Sequence, residues 1–164
     1  MMNKPAGYVC SAVSDSHKTV YQLLSPDLQD LVTKPKRGQR LHTVGRLDCD
    51  TSGLLLFTND GNFSHQLTAP DFHVEKTYIA TLEKPGKLDY IEKALQGLLL
   101  PAEKKSPEER SDPAKLKPLN QEMTKWEVRI SQGKFHQVRR LFLALDNKVL
   151  DLKRTAMGKW ELNS

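Results

Sequence analysis

Alternating apolar and polar residues predict β-strands in the middle of the chain. The alternation is clearest in TKWEVRIS, where Trp126, Val128 and Ile130 occupy one face, as in a half-buried strand. EKTYIATLE alternates in the same way and carries Tyr78 on its more apolar face. Two short apolar runs, GLLLFT and KVLDLKR, predict two further strands.

Apolar residues at helical spacing predict two helices. One contains Leu88, Ile91, Leu95 and Leu98. The other is FHQVRRLFLALD, whose apolar residues also fall on one side. Strands and helices are mixed without the regular rhythm of a parallel sheet. The fold class that this order predicts is α+β, with a mixed, largely antiparallel sheet flanked by helices.

Residues 101–118 have a different composition. They hold four of the nine prolines and a single large apolar residue, Leu116. Such a segment buries too little apolar surface to offset its ordering entropy. We therefore expect a mobile surface loop here, inside a single domain that spans residues 1–164.

Composition limits the classes of protein that the chain can form. Its 164 residues, 38% hydrophobic and 27% charged, suffice for one domain with a core. The net charge of +5 favours an anionic partner, most commonly nucleic acid. Two cysteines are too few for a disulfide framework and indicate a reducing, cytoplasmic compartment. No apolar run approaches the roughly 20 residues of a membrane span.

The densest group of chemically active residues lies in HTVGRLDCDTSGLLLFTNDG, where Arg46, Asp48 and Asp50 precede a predicted strand. Aspartates in turns often bond their own backbone, and neighbouring arginines often form surface pairs. The order D-x-D-T also occurs in magnesium-dependent phosphatases, but there it directly follows an apolar strand, unlike HTVGRL. A nucleophilic Cys49 would need a base that the sequence does not supply.

The second helix carries two adjacent arginines with different predicted environments. Arg139 lies about 100° from the apolar Val138 and Arg140 about 200° from it, at 3.6 residues per turn. This phasing predicts that Arg139 reaches along the core boundary into a cleft. Arg140 is expected on the solvent side, as a solvated or phosphate-contacting charge. Tyr78 is expected either in that cleft or in the core.

Four blocks of sequence resemble the pseudouridine synthases in order and spacing. They are NKPAGYVCS, GRLDCDTSGLLLFTNDG, EKTYIATLE and GKFHQVRRLF, and the resemblance runs from Asn3 to about Gly158. The segments SHQLTAP and HVEKTYIATLE are most similar to the RsuA branch, whose namesake modifies small-subunit ribosomal RNA. The resemblance implies conversion of uridine to pseudouridine at a central RNA-binding cleft. No electrons are exchanged in that isomerisation, so we expect neither a cofactor nor a metal.

The resemblance assigns a role to several residues of the blocks. Asp48 corresponds to the essential aspartate, and Tyr78 to a tyrosine that lies against the target base and is a candidate proton acceptor. Arg139 corresponds to the basic residue that pairs with this aspartate. Arg46 is the candidate for filling the gap left in the RNA. Asp50 has no such counterpart and is expected to be a turn former.

A wider set of polar and basic residues is expected to contact RNA. A flipped uridine needs a stacking surface, and its flanking nucleotides need phosphate contacts. The exposed loop KPKRGQR supplies Lys34, Lys36, Arg37 and Arg40. The four blocks supply Lys4, Lys76, His136, Gln137 and Arg140, and KVLDLKR adds Lys153 and Arg154.

The expected target and assembly also come from the resemblance. Proteins of the RsuA branch usually begin with a small S4-like RNA-binding domain, whereas this chain opens almost directly on NKPAG. We therefore expect a catalytic domain without an S4-like domain, acting as a monomer on a uridine of a partly assembled small subunit. A target in large-subunit RNA, or a non-catalytic RNA-binding module of the same fold, remains an alternative.

Overall fold

One sheet carries most of the regular structure in the computed structural model, which describes residues 1–104 and 106–162. The strands in chain order are β1 Met2–Lys4, β2 Tyr8–Val9, β3 Lys18–Thr19, β4 His42–Thr43, β5 Ser52–Leu55, β6 Phe57–Thr58, β7 Lys76–Leu82, β8 Leu99–Leu100, β9 Glu109–Arg110, β10 Lys115–Pro118, β11 Lys125–Ile130, β12 Val149–Met157 and β13 Trp160–Glu161. The α-helices are α1 Pro26–Thr33, α2 Gly61–Thr68, α3 Asp89–Leu95 and α4 Gln137–Ala144, and short 3-10 helices span Val20–Leu23 and Pro70–Phe72. Within the described residues, no helix has the length and apolar character needed to cross a membrane.

The order of strands in the main sheet is β1-β5-β12-β7-β11-β10, with β13 paired to β12. Among these described strands, β5 and β12 run parallel, and the other pairs are antiparallel. The predicted α+β class with a largely antiparallel sheet is therefore confirmed.

The main core lies between the sheet and α4. Trp126 and Val128 of β11 are fully buried and Ile130 nearly so, which confirms the inward face predicted from their alternation. Leu141 and Phe142 of α4 pack against this face. The indole N–H of Trp126 donates to a backbone carbonyl at 2.7 Å, so the ring is buried without an unpaired donor.

The predicted helix near residue 90 is present as α3, but its buried face differs from the one predicted. Tyr90 and Ala94 point into the core, whereas Leu88 and Leu95 are 68% and 48% exposed. The Tyr90 ring packs 5.8 Å from that of Trp126, between ring centroids. Contact with this large aromatic side chain sets the rotation of the short helix more strongly than the leucine spacing does.

Residues 101–118 contain more regular structure than predicted; Lys105 lies outside the described residues. The segment contains β9 and β10, and β10 pairs with β11 as the edge strand of the main sheet. Leu116 is buried at 5% exposure. The described part of the segment is therefore not irregular throughout, because β10 pairs with β11 and the buried Arg140 of α4 binds the carbonyls of Pro101 and Pro107, contacts that apolar composition does not predict.

Candidate active site

The loop that holds Asp48 is supported from below by a buried lysine. The Nζ atom of Lys4 lies 2.7–3.3 Å from the carbonyl oxygens of Pro5, Asp48, Cys49 and Thr51. Lys4 is fully buried, and this burial lowers the pKa of its ammonium group. The expectation that Lys4 contacts RNA is therefore wrong, because its donors are committed to the loop backbone.

The same loop enters β5 through a glycine that the sheet requires. Gly53 has a φ of +107°, and a Cβ atom there would lie 2.1 Å from the Arg154 carbonyl oxygen. Arg154 in turn donates from Nε to the Leu54 carbonyl at 2.9 Å. This close approach joins β5 to β12 and fixes the far end of the Asp48 loop.

A cleft of about 610 Å³ opens beside this loop. The loop, β7 and the segment leading into α4 form its walls. The residues predicted from the sequence that line it are Arg46, Asp48, Lys76, Tyr78, His136, Gln137 and Arg154. The fold thus brings together residues that are up to 108 positions apart in the chain, counted from Arg46 to Arg154.

The Asp48 carboxylate is partly buried and has charged groups of both signs around it. Its side chain is 38% exposed, and Oδ1 lies 3.7 Å from Nε2 of His136, which is an ion-pair distance. Burial raises the pKa of Asp48 above its ordinary value, and repulsion from Asp50 adds to the rise. The positive charges of His136, Arg139 and Arg46 act in the opposite direction.

Arg139 reaches this region from α4, but its direct partner is Asp50. Nη2 of Arg139 lies 2.9 Å from Oδ2 of Asp50, and Nη1 donates to the Val149 carbonyl at 3.1 Å. The predicted direct pairing with Asp48 is therefore wrong. Arg139 still lies close enough to lower the pKa of Asp48. Asp50, expected to be only a turn former, holds this guanidinium.

Arg140 is fully buried, contrary to its predicted place on the solvent side. Its guanidinium donates to the carbonyls of Pro101 at 2.8 Å and Pro107 at 2.7 Å, and to the Glu109 carboxylate at 2.8 Å. The helical phasing failed because residues 101–110 fold over the side of α4 that was expected to face water. Arg140 is thus unavailable to a phosphate.

Two further cations lie inside the cleft and not on the outer surface. Lys76 is 8% exposed, and its Nζ atom donates to the carbonyls of Val74 and Ser131 at 3.0 and 3.4 Å. Burial lowers the pKa of Lys76, and the neighbouring charge of Arg154 lowers it further. Arg154 is 2% exposed, so its expected contact with surface phosphates is not supported.

The remaining predicted residues are half-buried, buried or exposed. Tyr78 is half-buried in the cleft wall and packs against two of the hydrophobic clusters. Gln137 is buried and accepts a hydrogen bond from the backbone N–H of Lys134 at 3.1 Å. Arg46 is exposed at the cleft, and Lys153 is half-buried in β12. The loop residues Lys34, Lys36, Arg37 and Arg40 are exposed and lie away from the cleft lining.

Two residues at the site were missed by the sequence analysis. The Phe135 ring stacks on His136, with 3.8 Å between ring centroids and 16° between planes, and Phe135 also lines the cleft. The Glu103 carboxylate lies 3.0 Å from Nδ1 of His136. An aromatic residue beside the H-Q-V block was a usable signal for Phe135. Nothing local in the sequence links Glu103 to a histidine 33 residues later.

The fold is that of pseudouridine synthases of known structure. One crystal structure, described as a pseudouridylate synthase, matches with a TM-score of 0.84 and 41% identity, over 99% of this chain and 63% of that one. A more distant structure, an H/ACA RNP bound to a substrate RNA, has a TM-score of 0.60 at 15% identity and shows the shared fold alone. The family model for RNA pseudouridylate synthase matches residues 1–144. The chain belongs to the RNA pseudouridylate synthase family.

Its curated relatives include two ribosomal small subunit pseudouridine synthases A. The Haemophilus influenzae protein is 42% identical over 158 residues, and the Escherichia coli K12 protein is 40% identical over 158 residues. Each match covers 96% of this chain. The chain spans 62% of the length of these relatives.

Proposed function

We propose that this chain isomerises a uridine to pseudouridine in small-subunit ribosomal RNA. The observation that carries the proposal is the partly buried Asp48 carboxylate at the edge of a cleft that is also lined by Tyr78 and several cations. Membership of the family and the names of the two curated relatives support the reaction and the target.

Asp48 performs the chemical step in this proposal. The reaction breaks the bond between N1 of uracil and the ribose and forms a bond from C5 to the same ribose carbon, while C5 loses its proton and N1 gains one. An ionised carboxylate acts on the ribose or on the uracil ring during this exchange. Burial raises the pKa of Asp48, and the charges of His136, Arg139 and Arg46 oppose this rise and favour the ionised carboxylate.

The cleft supplies the binding surface for an extruded nucleotide. Extruding a base from a helix costs a few kcal/mol, and stacking on an aromatic side chain returns about 1–3 kcal/mol. Tyr78 provides this surface, and its hydroxyl is the candidate acceptor for the proton released from C5. Arg46 is exposed at the cleft and fills the space that the base leaves in the RNA.

The basic loop after α1 binds RNA outside the cleft. Lys34, Lys36, Arg37 and Arg40 are exposed, so their charges are free to approach phosphates. We propose that a monomer acts on a partly assembled small subunit, in the cytoplasm, where protein and RNA shape hold the target loop open.

The activity is tested by release of tritium from uridine labelled at C5, with ribosomal RNA and small-subunit particles as substrates and with magnesium chelated. The proposal expects release by the unaltered protein and none by Asp48→Asn. Binding without release from any RNA would instead indicate a non-catalytic RNA-binding module.

The target is tested by carbodiimide modification and primer extension on both ribosomal RNAs. A single new stop in small-subunit RNA is expected. A stop confined to large-subunit RNA would overturn the proposed target and leave the reaction intact.

A further inference from the structure

His136 lies between two carboxylates that come from different parts of the chain. Its Nδ1 atom is 3.0 Å from Oε1 of Glu103, and its Nε2 atom is 3.7 Å from Oδ1 of Asp48. The stacked Phe135 ring covers one face of the imidazole. The ring is therefore held at Nδ1 and on one face, its Nε2 faces Asp48, and only 20% of its side chain is exposed.

The segment that presents Glu103 is anchored to the helix that follows His136. Glu103 and Ser106 exchange two backbone hydrogen bonds, of 2.9 and 2.7 Å, which close a tight turn. On either side of this turn, the carbonyls of Pro101 and Pro107 accept hydrogen bonds from the buried Arg140 guanidinium. Arg140 of α4 thus anchors the segment that brings Glu103 to His136, the residue directly before this helix.

The two carboxylates impose a requirement on the imidazole. A neutral imidazole has one N–H donor and one acceptor nitrogen, whereas an ionised carboxylate only accepts. With Glu103 on Nδ1 and Asp48 facing Nε2, either neutral tautomer would turn a lone pair toward a negative charge. Only the doubly protonated ring turns an N–H toward each of the two carboxylates.

We propose that Glu103 is a positioning residue for the reaction, which holds His136 in its cationic form against the Asp48 carboxylate. The inference rests on the proposed function, because it assigns Asp48 the chemical step. Segment 101–110 then forms the outer support of the active site, through Glu103 and not through contact with RNA.

The other charges around Asp48 determine the direction of the effect. Asp50 repels it, Arg139 and Arg46 attract it, and the ammonium of Lys4 lies beneath its backbone. Neutralising Glu103 weakens the cationic form of His136, which removes one of the attractions. The direct repulsion of Glu103 on Asp48 acts across the whole imidazole and is the weaker effect. The acidic limb of the activity profile should therefore move to higher pH.

The test compares Glu103→Gln with Glu108→Gln, which removes the same charge from an exposed position in the same segment. Single-turnover rates are measured across pH together with the RNA dissociation constant. For Glu103→Gln we expect the acidic side of the pH–rate profile to shift to higher pH by about 0.5–1 pH unit. At a given pH on that side, the rate should be about 3–10-fold lower. RNA binding should be unchanged or tighter, because a negative charge is lost. Glu108→Gln should match the unaltered protein.

Nitrogen NMR of His136 in the RNA-free protein provides a readout that does not depend on activity. The fraction of rings with both nitrogens protonated at pH 7 should be lower in Glu103→Gln than in Glu108→Gln. Coincident pH profiles and coincident ring shifts for the two variants would overturn the inference. If the unaltered protein is inactive, the proposed function and the role of Glu103 in the reaction are both refuted. The NMR comparison would then still show whether Glu103 interacts with His136.

Discussion

Arg139 forms its ion pair with Asp50, at 2.9 Å between Nη2 and Oδ2, and not with the Asp48 carboxylate two residues earlier in the loop. The two partners affect Asp48 in opposite ways, since Arg139 lowers its pKa and Asp50 raises it. Asp48 is thus supported by a guanidinium whose position depends on a second aspartate.

This arrangement predicts opposite pH shifts for two substitutions. The proposed reaction requires ionised Asp48, so its rate should fall as pH drops through the pKa of this residue. Arg139→Met removes an attraction, raises that pKa and moves the acidic limb to higher pH. Asp50→Asn removes a repulsion, while the Val149 carbonyl still holds the Arg139 guanidinium, so the limb moves to lower pH. The measurement is the single-turnover rate from about pH 5 to 8, where one pKa unit is about a tenfold change in rate on the limb. Shifts in the same direction would contradict the geometry.

Asp48→Asn should abolish turnover and leave RNA affinity nearly unchanged. The amide keeps the size and shape of the side chain but replaces one acceptor oxygen by an NH2 donor and cannot act as a carboxylate, whereas affinity is expected to depend on phosphate contacts elsewhere. Asp50→Asn is the matched control, because it makes the same chemical change two residues away and should retain turnover. Single-turnover product from pure Asp48→Asn protein would refute the assignment of the essential aspartate.

The same substitution should stabilise the folded protein at neutral pH. The pKa of Asp48 is raised in the folded state, mainly by burial, so folding is favoured when this group is protonated and loses that advantage as pH rises through the folded pKa. The amide introduced by Asp48→Asn cannot ionise and avoids this loss. The gain should be small, since the side chain is 38% exposed, and it should disappear below the ordinary aspartate range. Urea unfolding at several pH values measures it, and a gain that grows on acidification would contradict the prediction.

The spacing of apolar residues along the sequence correctly predicted strands of the sheet and the helix that packs on it. The alternation around Val128 and the apolar face around Val138 reflect burial on one side of an element, which depends mainly on local spacing. This spacing could not predict which distant segment covers the opposite side of an element. Arg140 is on the side of α4 opposite Val138, yet it is buried because residues 101–110 pack there.

The sequence predicted several of the residues that line the site, but not which charged groups pair with each other. Asp48, Tyr78 and His136 line one cleft because the fold brings together the blocks that carry them. The partner of each charge depends on small differences in distance, which spacing along the chain does not encode. Lys4 illustrates the difference, since the same block could have placed its ammonium on RNA or, as found, beneath the loop.

Arg140 should matter more for stability than the adjacent Arg139. Arg140→Met would remove the charged donor that binds the carbonyls of the half-buried Pro101 and the exposed Pro107, at about 1.5–3 kcal/mol for a hydrogen bond to a charged group. Arg139→Met breaks an ion pair to an exposed aspartate, a kind of contact that contributes about 0.2–1 kcal/mol. Urea unfolding of the two variants measures the difference. Equal losses of stability would show that residues 101–110 do not depend on the buried guanidinium.

Substitution of an exposed and of a buried lysine should affect the salt dependence of RNA binding differently. Lys36 is exposed in the basic loop, so Lys36→Met should weaken RNA affinity and reduce the slope of log affinity against log salt by about 0.7–0.9 if it contacts one phosphate. Lys4 is buried beneath the Asp48 loop, so Lys4→Met should lower turnover and thermal stability while leaving that slope unchanged. Filter binding from low to high salt, combined with single-turnover assays, gives both quantities for each variant. A reduced slope for Lys4→Met would mean that the loop it supports carries a phosphate contact of its own. An unchanged slope for Lys36→Met would place the RNA path away from the basic loop.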